Sequence, residues 1–292
     1  MRIGIIPNIS KEKILTVVEF FVEKLRENDF DFVINKNLKD SHKDLPENIR
    51  KAEFQEGNEI FKSCDMVASI GGDGTMLHTA YLARESSIPI MGVNFGKLGF
   101  LAEFDMKTID SSLREIKLGQ YFIEERMVLE GECSLCEGKI MFAANDIVID
   151  KGGWPKMIEL SLRVDNHYVT TMSADGLILA TPTGSTGYSL STGGPIVSPG
   201  ADVIAISPIS PHSLTIRPLV LASNKKIAIR VESQHTSIQI NCDGQRVYSY
   251  TPPVDILVYK SSKKLRLVHT FSTNYFKILR EKLFWGIDAR KF

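Results

Sequence analysis

The sequence predicts two domains: an α/β N-terminal domain with a parallel sheet, then an all-β, sandwich-like C-terminal domain, with the C-terminal helix packing back on the first domain. Three observations predict this arrangement. The chain has 292 residues, 43% of them hydrophobic, which is enough to bury two cores. Strand-like and helix-like segments alternate over the first hundred residues, and after about residue 120 the apolar residues recur at every second position. We therefore expect an N-terminal domain over residues 1–120, completed by residues 271–292, and a β-rich domain over residues 121–270.

The N-terminal domain begins with the apolar run RIGIIP, which is expected to form its first strand. A helix is expected next, with Ser10 as its cap. Its apolar residues recur at three- and four-residue spacing: Leu15, Val18, Phe21, Val22 and Leu25. Further strands are expected in DFVIN, DMVASI and IPIMGVNF, and a last helix near residues 108–118 is expected to end at Gly119. This alternation indicates a Rossmann-like parallel sheet.

The second half is expected to consist of short strands. Ile158, Leu160 and Leu162 alternate with polar neighbours, as in a strand with one buried face. The turn pairs DN at 165–166 and DG at 243–244 separate such segments. The end of the chain, NYFKILREKLFWGI, returns to a helical pattern. Its apolar face is expected to comprise Tyr275, Phe276, Ile278, Leu279 and Leu283.

Charge and hydropathy exclude several classes of partner. Lysine plus arginine and aspartate plus glutamate balance at 35 each, so nothing favours a nucleic-acid partner. No apolar run approaches the ~18 residues of a membrane span, and the opening strand pattern lacks the extended apolar core of a signal peptide. We expect a cytoplasmic protein with no membrane and no nucleic-acid partner.

The few cysteines fit that compartment, because four in so long a chain cannot form a disulfide framework. Cys133 and Cys136 do form a C-x-x-C pair. A zinc site would need a second pair of ligands, and a thioredoxin-type motif would open a helix, whereas EGECSLCEGK is typical of a hairpin. We expect two free thiols near a turn.

The stretch GGDGT, comprising Gly71, Gly72, Asp73, Gly74 and Thr75, lies between an expected strand and an expected helix. Glycines at such a junction let backbone N–H groups close on a phosphate. A carboxylate there would repel a phosphate unless it handles a metal ion or a proton. The Walker A pattern fails at its nearest candidate, GVNFGKL, where Leu98 stands in place of a hydroxyl residue. The dinucleotide-binding pattern fails at GGDGT, because Leu77 stands in place of the third glycine. The alternative for the aspartate is a helix N-cap.

Two further polar stretches lie in the second half. In AANDIVID, Asn145 and Asp146 interrupt a strand pattern, and adjacent side chains of a strand point to opposite faces. Taken alone, the pair is typical of a turn or bulge. The loop at 173–200 is rich in hydroxyls and glycines. It can bind a polar ligand, with Tyr188 covering a ring, or serve as a structural loop.

Taken together, GGDGT at 71–75, the pair at 145–146 and DGLILATPTGSTGYSLSTGGP at 175–195 have the order and spacing of the bacterial NAD kinase family, which the chain resembles over nearly its full length. The resemblance includes PHSLTIRPLV at 211–220 and DGQ at 243–245. GGDGT is shared with diacylglycerol and sphingosine kinases and, in variant form, with phosphofructokinases. The long loop at 175–195 is specific to the NAD kinases.

The resemblance implies transfer of a phosphoryl group from ATP to the 2′-hydroxyl of the adenosine ribose of NAD, which gives NADP. Asp73 would be the general base that orients this hydroxyl and takes its proton. A divalent cation, Mg²⁺, would neutralise charge on the transferring group. The ATP phosphates would meet the backbone at Gly71, Gly72, Gly74 and Thr75. The metal ligands are left open.

The resemblance also implies the contacts to NAD. Asn145 and Asp146 would hold hydroxyls, Asp175 would meet the nicotinamide end, and Tyr188 would cover a ring. His78 would meet a phosphate, or is a surface histidine of the helix. The full set is Asp73, Gly74, His78, Asn145, Asp146, Lys156, Ser173, Asp175, Thr186, Gly187, Tyr188, Ser189, Leu190, Ser191 and Gln245.

Two positions depart from the family, which commonly has Glu in place of Asp146 and Ala in place of Gly187. The first change shortens the reach of the carboxylate by one methylene, and the second loosens the loop. The family completes its NAD site across subunits, which implies a homodimer or a homotetramer.

Two other functions are weighed against this one. A lipid kinase of the diacylglycerol or sphingosine type shares GGDGT, but its pocket should be apolar, whereas TPTGSTGYSLSTGG is rich in hydroxyls. A dinucleotide-binding regulator on the same fold would have lost the proton acceptor, and Asp73 is present.

Overall fold

A computed structural model describes residues 1–96, 99–136, 138–234, 236–271 and 273–284. The chain separates into two compact units, one comprising Met1–Glu125 with Arg266–Phe292 and the other comprising Arg126–Leu265. Of the segment 271–292 that is expected to complete the first domain, residues 285–292 lie outside the described residues. Within the described residues, no helix is both long enough and apolar enough to span a bilayer.

The elements before residue 120 alternate between strand and helix. They are β1 (Arg2–Pro7), α1 (Ile14–Glu27), β2 (Asp31–Asn35), α2 (Asn37–Ser41), α3 (Glu47–Arg50), β3 (Phe54–Gln55), α4 (Gly57–Ser63), β4 (Met66–Ile70), α5 (Asp73–Ala83), β5 (Ile90–Asn94), β6 (Phe104–Asp105) and α6 (Ile109–Lys117).

The remaining elements are almost all strands. They are β7 (Tyr121–Cys133), β8 (Met141–Ala143), β9 (Asp146–Asp150), β10 (Ile158–Val164), β11 (His167–Ala174), β12 (Gly176–Ala180), a 3₁₀ turn (Thr183–Thr186), α7 (Tyr188–Ser191), β13 (Val203–Ile209), β14 (Leu219–Ala222), β15 (Ile227–Glu232), β16 (Ile238–Cys242), β17 (Arg246–Tyr250), β18 (Val254–Thr270) and α8 (Tyr275–Leu283).

The first unit contains the predicted parallel sheet. Strands β3, β2, β1, β4 and β5 lie side by side in that order, and every pairing between neighbours is parallel. All five residues of β4 are buried, as expected for a parallel strand covered on both faces. The Rossmann-like fold class is confirmed.

The ends of two helices test the capping expectations. Gly119 adopts φ +74° directly after Leu118, the C-cap residue of α6, as expected for a glycine that ends a helix. Ser10 does not cap α1, because the helix begins at Ile14 and the Ser10 hydroxyl donates to Asn8 Oδ1 at 2.7 Å. The capping prediction was wrong because the residues between Ser10 and Ile14 form a separate turn.

The second unit is a β sandwich. One of its sheets is antiparallel and six-stranded, in the order β14, β13, β12, β9, β16, β17. The other includes the antiparallel neighbours β11, β10, β15 and β18. Apolar side chains from both sheets form one core, which includes Ile149, Leu160 and Ile229. The sandwich prediction is confirmed.

The expected turns of this unit form with left-handed backbone. Asp165 and Asn166 have φ values of +48° and +67°, and Asp243 and Gly244 have φ values of +57° and +67°. Two consecutive residues with positive φ match the twist of a tight hairpin. The pairs DN and DG were therefore interpreted correctly as turns.

The expectation of two free thiols was wrong, because the sulfur atoms of Cys133 and Cys136 are bonded to each other. The turn that follows β7 brings their Cα atoms to 5.1 Å, within the range that a disulfide spans.

The C-terminal helix is less buried than its pattern indicated. Ile278 and Leu279 are buried, whereas Phe276 is 60% exposed. Lys282 lies 5.8 Å from the ring centroid of Phe100, within the first unit.

Candidate active site

The aspartate of GGDGT lies where a parallel strand gives way to a helix. Strand β4 ends at Ile70, Gly72 is the N-cap residue of α5, and Asp73 is the first residue of that helix. The N-terminus of a helix carries a partial positive charge that favours an anion. The Asp73 side chain does not cap its own helix.

Both oxygens of the Asp73 carboxylate instead hold a distant loop. Oδ1 accepts the backbone N–H groups of Leu101 at 2.9 Å and Ala102 at 3.1 Å, and Oδ2 accepts that of Phe100 at 2.9 Å. A carboxylate oxygen has two lone pairs. Oδ2, which receives one of these bonds, can therefore still accept a hydrogen bond from a ligand hydroxyl.

Only a glycine at position 99 lets the Asp73 carboxylate lie this close to the 99–102 segment. A Cβ atom at Gly99 would overlap Asp73 Oδ1 and would lie 2.8 Å from Cγ. The 99–102 segment is itself tightened by a hydrogen bond from Gly99 N–H to the carbonyl of Ala102 at 3.2 Å. The carboxylate and the segment therefore form one closely packed unit.

The protein itself uses some of the GGDGT amides. Gly71 N–H donates to the carbonyl of Val93 and Thr75 N–H to that of Gly72, each at 2.9 Å. The GGDGT stretch leads into the first turn of α5, which begins at Asp73. Gly74 and His78, both named as contact residues from the sequence, are exposed on this helix. Phosphate binding by GGDGT stays a prediction.

The second unit contains a pocket of about 220 Å³ that includes three of the predicted site residues. It is lined by Asn145, Asp146, Val148, Asp150, Tyr188, Asn241, Asp243 and Gly244. Asn145 and Asp146 line the same pocket, although strand alternation would send them to opposite faces. That expectation was wrong because β8 ends at Ala143 and β9 begins at Asp146, so the two residues lie at a break between strands.

A buried carboxylate fixes this break. Asp243 accepts the backbone N–H groups of Asn145 at 2.7 Å, Ala144 at 3.1 Å and Asp146 at 3.3 Å. Arg246 forms an ion pair with it at 2.8 Å, and the Asp243 side chain is 0% exposed. Burial raises the pKa of Asp243, although the hydrogen bonds and the charge of Arg246 oppose the shift.

The pocket combines an unusual carboxyl group with two unpaired amide oxygens. Burial, assisted by the negative charge of Asp243, raises the pKa of Asp146 to about 7. Among the described residues, Oδ1 of Asn145 and Oδ1 of Asn241 are buried without a hydrogen-bond partner. Buried polar atoms are normally paired, so these oxygens indicate a ligand that donates hydrogen bonds.

The loop after β12 packs against the same break. Thr181 donates from its hydroxyl to the carbonyl of Ala144 at 2.7 Å and from its N–H to that of Asn145 at 2.8 Å. A Cβ atom at Gly187 would lie 3.7 Å from Asn145 Nδ2 and 3.8 Å from Asp146 Oδ2. The structure thus brings Gly187 beside the predicted pair.

The side chains of the TGYSLS stretch are used in different ways. Tyr188 is 49% exposed at the pocket. Ser189 is fully buried and shares a hydrogen bond with Ser207 at 2.9 Å, so its hydroxyl serves packing. Thr186 and Ser191 donate to backbone carbonyls within the loop, and Leu190 is partly exposed.

The remaining predicted residues do not line the pocket. Asp175 forms an ion pair with Lys151 at 2.6 Å. Ser173 accepts a backbone hydrogen bond from His212 at 2.9 Å through its carbonyl. Lys156 and Gln245 are exposed on turns. Their roles stay predictions.

Three contributors to the site were not predicted from the sequence. Asp243 was interpreted as a turn residue and as part of the DGQ stretch but was given no role in the site, Asn241 was not singled out, and the 99–102 segment was not connected to Asp73. The DGQ stretch was the available signal for Asp243, and a glycine-rich FGKLGF beside GGDGT was the signal for the segment.

Comparison with known proteins gives a consistent result over both units. A family model described as the ATP-NAD kinase N-terminal domain matches residues 3–121, and one described as the ATP-NAD kinase C-terminal domain matches residues 144–270. The NAD kinase of Thermoanaerobacter sp. (strain X514) is 39% identical over 284 residues, which cover 97% of this chain and 98% of the relative. That of Chloroherpeton thalassium is 34% identical over 288 residues, with 98% of each chain covered.

Solved structures that are similar over nearly the whole chain include two complexes. The crystal structure of yeast NADH kinase complexed with NADH has a TM-score of 0.88 at 25% identity, covering 100% of this chain and 89% of the other. The NAD kinase from Archaeoglobus fulgidus in complex with ATP has a TM-score of 0.74 at 25% identity, covering 96% of this chain and 99% of the other.

Proposed function

Because the chain belongs to the ATP-NAD kinase family and is an enzyme of that kind, we propose that Asp73 is the general base of its reaction. The base acts as the γ-phosphoryl group of ATP moves to the 2′-hydroxyl of the adenosine ribose of NAD. The oxygen of that hydroxyl forms the new bond to phosphorus, the bond to the ADP oxygen breaks, and the proton of the hydroxyl passes to Asp73 Oδ2.

One observation carries this proposal: the Asp73 carboxylate is fixed by three backbone N–H groups and keeps an acceptor site on Oδ2. A general base must be held within hydrogen-bond reach of the proton that it abstracts. In phosphoryl transfer, such positioning supplies much of the catalysis, because little covalent chemistry is left for the protein. A mobile carboxylate would serve this purpose poorly.

The proposed NAD contacts are supported by the pocket in the second unit. The unpaired oxygens of Asn145 and Asn241 suit the hydroxyl or amino donors of a nucleoside. Asp146 can accept or donate there, because its pKa is about 7. Tyr188 is exposed enough to stack on a ring. The complexes of the two structural relatives, one with NADH and one with ATP, support a nicotinamide dinucleotide and ATP as the two ligands.

The phosphoryl donor is proposed to be ATP with bound Mg²⁺. Among the described residues, no group of three or more His, Cys, Asp or Glu side chains forms a metal site. Mg²⁺ is commonly held by substrate phosphates with only one or two protein carboxylates, so this arrangement fits a cation that arrives on the nucleotide. It would neutralise charge on the transferring group.

The resemblance to the NAD kinase family supports a cytoplasmic homodimer or homotetramer. Light scattering at several protein concentrations would test the oligomeric state.

A lipid-kinase function receives no support from the comparisons.

The activity is tested by incubating the full chain with Mg-ATP and NAD and detecting NADP with an NADP-specific dehydrogenase. Parallel reactions contain vesicles with diacylglycerol or sphingosine in place of NAD. We expect NADP to form and the lipids to remain unphosphorylated. Lipid phosphorylation without NADP formation would overturn the proposal.

A further inference from the structure

A buried histidine of the first unit lies between two carboxylates. His269, near the end of β18, is 4% exposed. Its Nδ1 lies 2.5 Å from Glu103 Oε1, and its Nε2 lies 2.9 Å from Glu124 Oε2 on β7. The Thr273 hydroxyl also donates to Glu103 Oε1, at 2.9 Å. Three separate parts of the chain, at residues 103, 124 and 269–273, therefore converge on this cluster, and two side chains of the last part contact Glu103 directly.

Glu103 follows directly after the segment that holds the catalytic aspartate. Ala102 and Leu101 donate their N–H groups to Asp73 Oδ1. On the other side of Glu103, β6 pairs in parallel with β5, with Phe104 opposite Val93. The segment is thus bound to Asp73 at one end and to the sheet at the other, with Glu103 as the anchored residue between them.

The contact with the sheet leaves little space for displacement. A Cβ atom at Gly92 on β5 would lie 2.5 Å from the carbonyl oxygen of Leu101 and 2.7 Å from Cα of Ala102. Both residues are buried. If Glu103 moves, the backbone amides of Leu101 and Ala102 must therefore move with it, and the Asp73 carboxylate that accepts their hydrogen bonds is displaced in turn.

The charges of the cluster favour a protonated histidine. Burial alone would lower the pKa of His269, but the hydrogen bond to Glu103 and the negative charges of Glu103 and Glu124 raise it to about 9. The Phe122 ring, 5.3 Å from the imidazole centroid, covers it without adding charge. At neutral pH the imidazolium balances the Glu103 carboxylate, whose side chain is 9% exposed.

We propose that His269 is a positioning residue for phosphoryl transfer: through its ion pair with Glu103 it fixes the 99–103 segment and, with it, the direction of the Asp73 carboxylate. This inference rests on Asp73 being the general base. His269 touches no reacting atom. A displacement of about 1 Å in a catalytic group can cost about 100-fold in rate even when its cause lies far from the reacting atoms.

The test compares His269→Gln with Glu103→Gln, the double variant and the control His167→Gln, whose histidine is exposed on a hairpin of the second unit. We expect kcat for NADP formation to fall about 10-fold to 100-fold in His269→Gln, with the KM values for ATP and NAD changing less than about three-fold. Glu103→Gln should give a similar loss, and the double variant little further loss, because both changes remove one interaction.

The pH profile separates positioning from a merely structural role. In the wild type, kcat should fall as pH rises through about 9, where His269 loses its proton. This limb should be absent in His269→Gln. A lower melting temperature with unchanged kcat per folded molecule would overturn the proposal, and so would additive losses in the double variant. If His269→Gln does not fold, Glu103→Gln tests the proposal: the same fall in kcat and the same loss of the high-pH limb would support it, and an unchanged kcat would overturn it.

Asp73→Asn distinguishes failure of this inference from failure of the proposed function. If Asp73→Asn keeps near-full turnover, the assignment of the base is wrong. If Asp73→Asn loses turnover while His269→Gln keeps kcat within about two-fold of the wild type, only the positioning role is wrong.

Discussion

The carboxylate of Asp243 accepts the backbone N–H of Asn145 at 2.7 Å, although the two residues are 98 positions apart. The same carboxylate also binds the amides of Ala144 and Asp146 and pairs with Arg246. A turn residue on one hairpin therefore fixes the break between β8 and β9 at which two pocket residues lie.

Replacing this buried carboxylate should be costly. Asp243→Ala leaves three backbone N–H groups and Arg246 without their acceptor, and breaking a buried ion pair commonly costs about 3–5 kcal/mol. We expect a loss of that size in the free energy of unfolding, measured by urea denaturation monitored by fluorescence. The matched control is Asp165→Ala, which removes an exposed turn aspartate with similar backbone geometry. Equal losses in both variants would show that Asp243 matters only as a turn residue.

The pKa of Asp146 makes stability depend on pH. Its value is about 7 in the folded chain, against about 3.9 in an unfolded one. Between these pH values the folded state binds more protons than the unfolded state, so the free energy of unfolding falls as pH rises, by up to about 4 kcal/mol, and the contribution is lost above pH 7.

Asp146→Asn replaces the titrating carboxyl group with an uncharged amide of about the same size. Calorimetry without ligands should show that the variant melts at a higher temperature than the wild type at about pH 8.5, with a smaller difference at about pH 5. Asp40→Asn, on the exposed face of α2, serves as the control. A difference that does not change with pH would contradict the raised pKa.

The close contact between Gly99 and Asp73 predicts that a methyl group cannot be added there. Gly99→Ala should move the carboxylate or the 99–102 segment and lower kcat about 10-fold to 100-fold. Gly200→Ala is the matched control, since a Cβ atom at Gly200 would meet no atom within 4 Å. Steady-state kinetics of NADP formation measure both variants. An unchanged kcat in Gly99→Ala would mean that the contact does not set the position of Asp73.

Because the ring of Tyr188 is exposed at the pocket, its removal should weaken the binding of NAD but not that of ATP. Tyr188→Ala should raise the KM for NAD by the equivalent of about 1–3 kcal/mol of lost stacking, with a much smaller effect on the KM for ATP. Tyr168→Ala, which removes an exposed ring from β11, is the control. Equal effects of Tyr188→Ala on both KM values would assign the ring to scaffolding.

Periodic local patterns predicted most of the fold. The strands of the first unit, the sandwich of the second and the helix end at Gly119 all follow from spacing or from turn residues, which act over a few positions. The sequence also placed Asp73 between a strand and a helix. Its partners Phe100, Leu101 and Ala102 lie 27–29 positions away, and no local pattern encodes such a contact.

The same limit explains the other differences. The DG pattern specified the turn at Asp243 but gave no information about the amides at 144–146. The C-x-x-C spacing did not determine whether Cys133 and Cys136 would bond. Helical periodicity placed Phe276 on the apolar face, although exposure depends on what packs against that face.

The role of Asp73 is tested most directly by comparing Asp73→Asn with the wild type and with Asp40→Asn. NADP formation gives kcat, and titration calorimetry with NAD gives the dissociation constant, so that turnover and binding are measured separately. We expect Asp73→Asn to lower kcat by about 10²–10⁴, the effect of removing a general base, and to bind NAD within a few-fold of the wild type. Near-full turnover of Asp73→Asn would contradict the account and leave Asp73 with only the structural role of holding the 99–102 segment.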